Sequence, residues 1–168
     1  MKKNITADRY TSIIDSFSEN LAKATTKEEV AWCVVDHVIP ELDFQDCVVY
    51  LYDQRRKALI QTAAFGPKNV EGRKIKDPIF IEPGEGIVGR VFVFGRGRIV
   101  NDTSMDANYI IDDRFRLSEI AIPIKTSEKT IGVIDSEHMY EDFFTEQHKE
   151  LLTEIADLVG KKMETLTD

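Results

Sequence analysis

SEIAIPIK (118–125) and KTIGVIDSEH (129–138) decide the fold. Both are short and rich in β-branched residues, as strands are. Only Thr126-Ser127-Glu128 separates them, which is enough for a hairpin turn and too short for a crossover, so they pair antiparallel. Along the first strand, Ser118, Ile120 and Ile122 fall on one face and Glu119, Ala121 and Pro123 on the other.

The segments before this hairpin extend the pattern. CVVYLYD (47–53) and ALIQTAAFG (58–66) read as a second antiparallel pair across the polar turn DQRRK (53–57). GPKNVEGRKIKDP (66–78) reads as a loop with one short strand near Arg73–Lys76. IVGRVFVFG (87–95) is apolar and bounded by glycines, and its length does not separate helix from strand. RGRIVND (96–102) holds a brief extended piece, and TSMDANYIIDDRF (103–115) is an irregular loop with room for one helical turn.

Helices occupy both ends. Tyr10, Ile13, Ile14, Phe17, Leu21 and Ala24 follow helical spacing. Thr26-Lys27-Glu28-Glu29 fits a capping box that opens a second helix, and Pro40 stops it. At the C-terminal end Thr145 caps a helix whose apolar residues include Leu152, Ile155, Val159, Met163 and Leu166. That narrow stripe suits a helix–helix seam, and we take Leu152, Ile155, Val159 and Met163 as a candidate dimer seam. The expected class is α+β: a central antiparallel sheet, the terminal helices on one face and an irregular ligand-side layer on the other. Residues 8–165 are expected to form a single domain, with signalling or dimerisation helices at 8–24 and 145–166.

The chain has 168 residues, 22 Lys plus Arg against 30 Asp plus Glu, and a net charge of −8. That balance argues against a nucleic-acid partner and against docking on anionic lipid. No apolar run reaches membrane-spanning length, and MKKNITADRY is not a secretory signal. Cys33 and Cys47 are too few for a disulfide scaffold. We expect a cytoplasmic protein with free thiols, a single disulfide between the two staying open.

Motifs for catalysis are scarce. Gly84-Glu85-Gly86-Ile87-Val88-Gly89 matches G-x-G-x-x-G but lacks a parallel βαβ setting, so it reads as a sharp turn into a closely packed helix. Asp102, Asp106, Asp112 and Asp113 lack the spacing of a Ca²⁺ loop and read as a solvated acidic loop. His37, His138 and His148 have no i, i+4 histidine and no nearby Cys or carboxylate triad in the sequence and read as surface or satisfied core histidines, and Cys33 and Cys47 read as small buried hydrophobes. We expect no catalytic residue and no metal site.

Taken together, GEGIVGRVFVFGRGRIVND (84–102), SEIAIPIK and KTIGVIDSEH…FFTEQHKELLTEIADLVG (129–160) resemble the GAF domain family of cytosolic sensory modules. With the N-terminal helices and CVVYLYD, the resemblance covers roughly residues 8–165. It implies a PAS-like sheet and a regulatory module that binds a small molecule or a partner domain. It also implies settings such as histidine kinases or cyclic-di-nucleotide enzymes, and dimerisation through terminal helices. The tetrapyrrole branch needs a Cys beside a His, which neither Cys33 nor Cys47 has, so no covalent tetrapyrrole is expected and the cofactor is unknown. The cyclic-nucleotide phosphodiesterase signature is missing. The free methionine sulfoxide reductase branch uses ligand-side cysteines, and residues 48–168 contain none.

The first functional reading is therefore a signal-transduction input domain. Its unidentified small molecule lies between the sheet and residues 84–116, and it regulates an attached effector domain or a partner protein, as a homodimer. Tyr50, Tyr109, Phe115, Ser118 and Ile120 are the candidate pocket residues, with Arg116 as an anion contact. The alternatives are a ligand-free dimerisation module and a thiol redox enzyme using Cys33 or Cys47.

Overall fold

The computed structural model describes residues 4–166. Helix α1 (Ala7–Lys23) starts at Thr6, whose side chain accepts the N–H of Arg9, and buries Ile13, Phe17 and Leu21. Helix α2 (Lys27–His37) opens with the expected capping box between Thr26 and Glu29. It ends before a 3-10 turn at Ile39–Glu41 that holds Pro40. Strands β1 (Cys47–Asp53) and β2 (Ala58–Phe65) form the first hairpin. Two short strands follow, β3 (Asn69–Val70) and β4 (Lys74–Ile75), paired only with each other. Strand β5 (Phe80–Ile81) leads to helix α3 (Gly86–Phe94) and strand β6 (Arg98–Val100). The second hairpin is β7 (Ser118–Lys125) with β8 (Thr130–His138), and helix α4 (Glu146–Glu164) closes the chain.

The main sheet has the order β5-β2-β1-β8-β7-β6, antiparallel throughout. The 87–95 run resolves as helix as far as Phe94. Gly95 ends α3 in the left-handed region at φ 65°, where glycine carries no steric penalty. β3 and β5 are additions to the sequence reading. At two residues each they are too short to show a period.

The sheet separates two apolar cores. On the helix side, α1, α2 and α4 cover Val49, Ala63, Ile120, Ile122, Ile124 and Ile134. Each such aliphatic side chain contributes about 1.5–3 kcal/mol on full burial. Leu152, Ile155, Val159 and Met163 all lie in this core. The stripe expected as a dimer seam is thus a seam within the chain, where α4 crosses β7 and runs beside α1 and α2. At Gly160 the helix touches the sheet. A Cβ there would stand 1.9 Å from the backbone oxygen of Lys125, so only glycine fits. The opposite face carries a smaller core of Val48, Tyr50, Leu59, Ile81, Ile87 and Val91 with their neighbours, under α3 and β5. Among the described residues no helix is long and apolar enough to cross a membrane.

Candidate functional site

On the α3 side, two neighbouring strands bring acidic side chains together. β7 contributes Glu119, and β8 contributes Asp135 and Glu137. The register sets Glu119 directly opposite Glu137 and Ala121 opposite Asp135. Like charges facing across a ladder destabilise it. Asp46, just before β1, completes the patch. Its Oδ1 accepts the N–H of Glu137 at 2.7 Å, and its backbone oxygen accepts the hydroxyl of Ser136. These four residues are only 4–6% exposed.

They border a narrow cavity of about 20 Å³. Its other walls are Val48 and Tyr50 of β1, Ile79 and Ile81 around β5, Gly86, Ile87 and Val88 of α3, and Lys68, Ile110, Asp112 and Asp113 from loops. Such a volume takes a group the size of a water molecule or an ammonium head. Gly86 sits at φ +65°, and a Cβ there would meet Ile110 Cδ1 at 2.5 Å. Glycine therefore lets residues 106–116 close down over α3 as a lid.

Two buried cations hold that lid. Lys68 Nζ donates to Asp112 Oδ1 and to the Asp77 carbonyl, both at 2.8 Å. Gln61 Nε2 adds bonds to Asp112 Oδ2 at 2.7 Å and to the Tyr50 hydroxyl at 3.0 Å. Arg116 grips Asp113 with both guanidinium nitrogens, at 2.7 and 3.0 Å. Its Nη1 also lies 3.0 Å from Asp46 Oδ2 and 3.4 Å from Glu137 Oε2. Asp46, Asp113 and Glu137 come close enough to share a metal ion, but Arg116 supplies positive charge to all three.

Six carboxyl groups thus face two cations, Lys68 and Arg116. Burial, resisted by Arg116, moves Asp46 up to about 6. Burial raises Glu119 to about 8 against a hydrogen bond from Asp135. Burial, reinforced by the charges of Asp135 and Asp46, raises Glu137 to about 9. Asp135 is pushed well above the usual carboxylate range by burial and then by the charge of Glu119 beside it. Two oxygens of this patch, Asp135 Oδ1 and Glu137 Oε1, have no hydrogen-bond partner. A buried orphan of this kind costs about 1–3 kcal/mol.

The expected pocket residues divide. Tyr50 lines the cavity. Tyr109 belongs to the lid, its hydroxyl accepting the Arg116 N–H at 3.0 Å. Phe115 stands edge-on to Tyr109 at 5.6 Å and is half exposed. Arg116, expected as an anion contact, is instead enclosed by three carboxylates of the chain itself. Ser118 and Ile120 lie on the wrong face of β7. Ile120 is in the helix-side core, and the Ser118 hydroxyl donates to the Tyr140 carbonyl at 2.6 Å. The cavity face carries Glu119. The loop expected to be solvated is also corrected: Asp112 and Asp113 are ion-paired to buried cations, and Asp106 pairs with Arg98 at 2.6 Å. Cys33 and Cys47 are free thiols, both raised chiefly by burial. Both pack on the helix side of the sheet, and neither lines the cavity. His138 and His148 accept backbone N–H groups at Nδ1, from Tyr140 and Thr145 respectively.

A family model described as GAF domain matches residues 24–164. Protein YtsP of Bacillus subtilis is 28% identical over 80 residues, 48% of this chain and 49% of that protein, so the match spans about half of each. Among solved structures, a free methionine-R-sulfoxide reductase from Neisseria meningitidis in complex with its substrate superposes with a TM-score of 0.83. It shares 21% identity, over 98% of this chain and 94% of that one. The GAF domain of an Acinetobacter phosphoenolpyruvate-protein phosphotransferase also reaches 0.83, at 15% identity over 95% of each chain. The reduced form of fRMsr of Staphylococcus aureus reaches 0.80, at 23% identity over 96% of this chain and 99% of that one. At these identities the likeness is one of fold.

Proposed function

Because the chain belongs to the GAF domain family, we propose that it is a regulatory input domain that binds a small molecule through a cationic group, a protonated amine above all. The observation that carries this is the buried trio Glu119, Asp135 and Glu137, with Asp135 Oδ1 and Glu137 Oε1 unpartnered at the cavity. An ammonium placed there supplies N–H donors to both orphans and offsets the charge that Lys68 and Arg116 leave uncompensated. A cavity of about 20 Å³ takes only such a head group. The body of the ligand needs the 106–116 lid to shift, breaking the Lys68–Asp112 bridge. Ligand thereby favours one lid arrangement over another, which is the differential affinity a switch requires. β8 leads through residues 139–145 into α4, a direct route from the site to an attached effector or a partner protein.

The thiol-enzyme alternative draws on the reductases among the structural neighbours. The position of both thiols on the helix side favours the regulatory reading. A thermal-shift panel of primary amines and free amino acids, each beside its des-amino counterpart, tests the proposal. Stabilisation confined to the amino compounds and lost in Glu137→Gln is expected. Stabilisation by the des-amino compounds alone would overturn it. So would reduction of methionine sulfoxide that disappears in a Cys33→Ala, Cys47→Ala double variant.

A further inference from the structure

We propose that the site exchanges a proton for its cation: apart from ligand the Glu119–Asp135–Glu137 patch is kept neutral by bound protons, and the entering ammonium releases one of them to solvent. This rests on the cation-binding reading above and adds its control by pH. The geometry supplies the argument. Glu119 and Glu137 face each other across the ladder with Asp135 beside them, in a setting only 4–6% exposed. The walls nearest them, Val48, Ile81, Ile87 and Val88, are apolar. Three charges with only Arg116, 3.4 Å from Glu137, as a cationic neighbour cannot be held together there.

The groups around the patch are accounted for element by element. β1 and the residue before it present Tyr50 and Asp46. The lid presents Asp106, Tyr109, Asp112, Asp113 and Arg116, β6 presents Arg98, which is paired with Asp106, and the loop after β2 presents Lys68. α3 presents only Gly86, Ile87 and Val88. Lys68 is committed to Asp112. Arg116 is committed to Asp113 and Asp46 and reaches Glu137 only at 3.4 Å. Neither cation pairs with Glu119 or Asp135, so protons neutralise those two. The upward shifts of Glu119, Asp135 and Glu137 agree.

In the exchange a carboxyl O–H bond breaks and its proton passes to water. The carboxylate then accepts an N–H of the ammonium, so charge balances without any other reactant. A carboxyl whose folded value lies above its unfolded value of about 4 stabilises the fold while protonated. These groups therefore contribute most below that value, and the contribution is lost as pH rises toward 8 and 9. The cation, facing less proton competition, binds more tightly over the same range.

The test uses methylammonium chloride, which stays charged at these pH values, against sodium chloride of equal ionic strength. Thermal unfolding at pH 6 and pH 8 is combined with proton release in lightly buffered solution. The expected result is a lower unfolding midpoint at pH 8 without the amine, about fiftyfold tighter apparent affinity at pH 8 than at pH 6, and measurable proton release. Glu119→Gln should reduce the release and flatten the pH dependence, and Asp135→Asn provides a second variant if the first fails to fold. Equal affinity at both pH values with no proton released would overturn the exchange and leave the cation site standing. An absence of stabilisation at either pH, with the unfolding midpoint unchanged between them, would overturn both.

Discussion

The two faces of the sheet are built to opposite rules. On the helix side, β7 and β8 present Ile120, Ile122, Ile124 and Ile134 to a core closed over them by α4, and α2 covers β1 and β2. On the α3 side, the alternating residues of the same strands present Glu119, Asp135 and Glu137 around a small cavity, with two oxygens unpartnered. One face gains stability mainly from apolar packing, with Trp32 Nε1 as its buried polar atom lacking a partner among the described residues. The other holds charge that folding alone does not neutralise, and a surface of that kind is answered by a ligand or by protons.

Three substitutions probe this division. The largest effect is expected at Arg116, 3% exposed and enclosed by Asp46, Asp113 and Glu137. Arg116→Met strands these carboxylates and should cost about 4 kcal/mol at neutral pH. The loss should shrink in acid as Asp46 takes up a proton, and urea unfolding at pH 5 and pH 7.5 checks it. A loss independent of pH would mean that the cavity face is held by packing, like the other. Next, Leu152→Ala opens a void in the helix-side core and should cost about 3 kcal/mol. Measured in the same way, its cost should not change with pH, which sharpens the contrast. The smallest effect is Glu119→Gln, which removes a buried carboxyl that begins to ionise near pH 8. It should stabilise the ligand-free protein by up to about 1 kcal/mol at pH 8 and flatten the pH dependence of the response to amines. Destabilisation at that pH would contradict an unsatisfied charged patch.

The elements were legible where local chemistry dictates them. The Thr26–Glu29 box, the change of period at Cys47, the 126–128 turn and the Thr145 cap all act within a few residues. The site was less legible because it depends on which face of a doubly covered strand looks where. β7 is buried on both faces from Ser118 to Ile124, so alternation of polarity could not point to the cavity. A carboxylate in such a strand ordinarily marks solvent, and Ser118 and Ile120 looked the better pocket residues. The available signal was Glu119, Asp135 and Glu137 at alternating positions in two otherwise apolar runs, a pattern that fits a solvent face poorly when both strands are central. The partners of the lid were out of reach. Asp112 meets Lys68 across 44 residues and Gln61 across 51, and no periodicity encodes such contacts.

Helix α1 bears on how this protein is handled at the bench. It precedes the residues matched by the family, yet Phe17 is completely buried and Tyr10 and Lys162 tie α1 to α4 through Glu154 and the Ala22 carbonyl. A recombinant fragment trimmed to the family boundary at residue 24 would bare the apolar flanks of α2 and α4. Poor solubility of such a fragment would then report a missing cover, and not a defect in the ligand site.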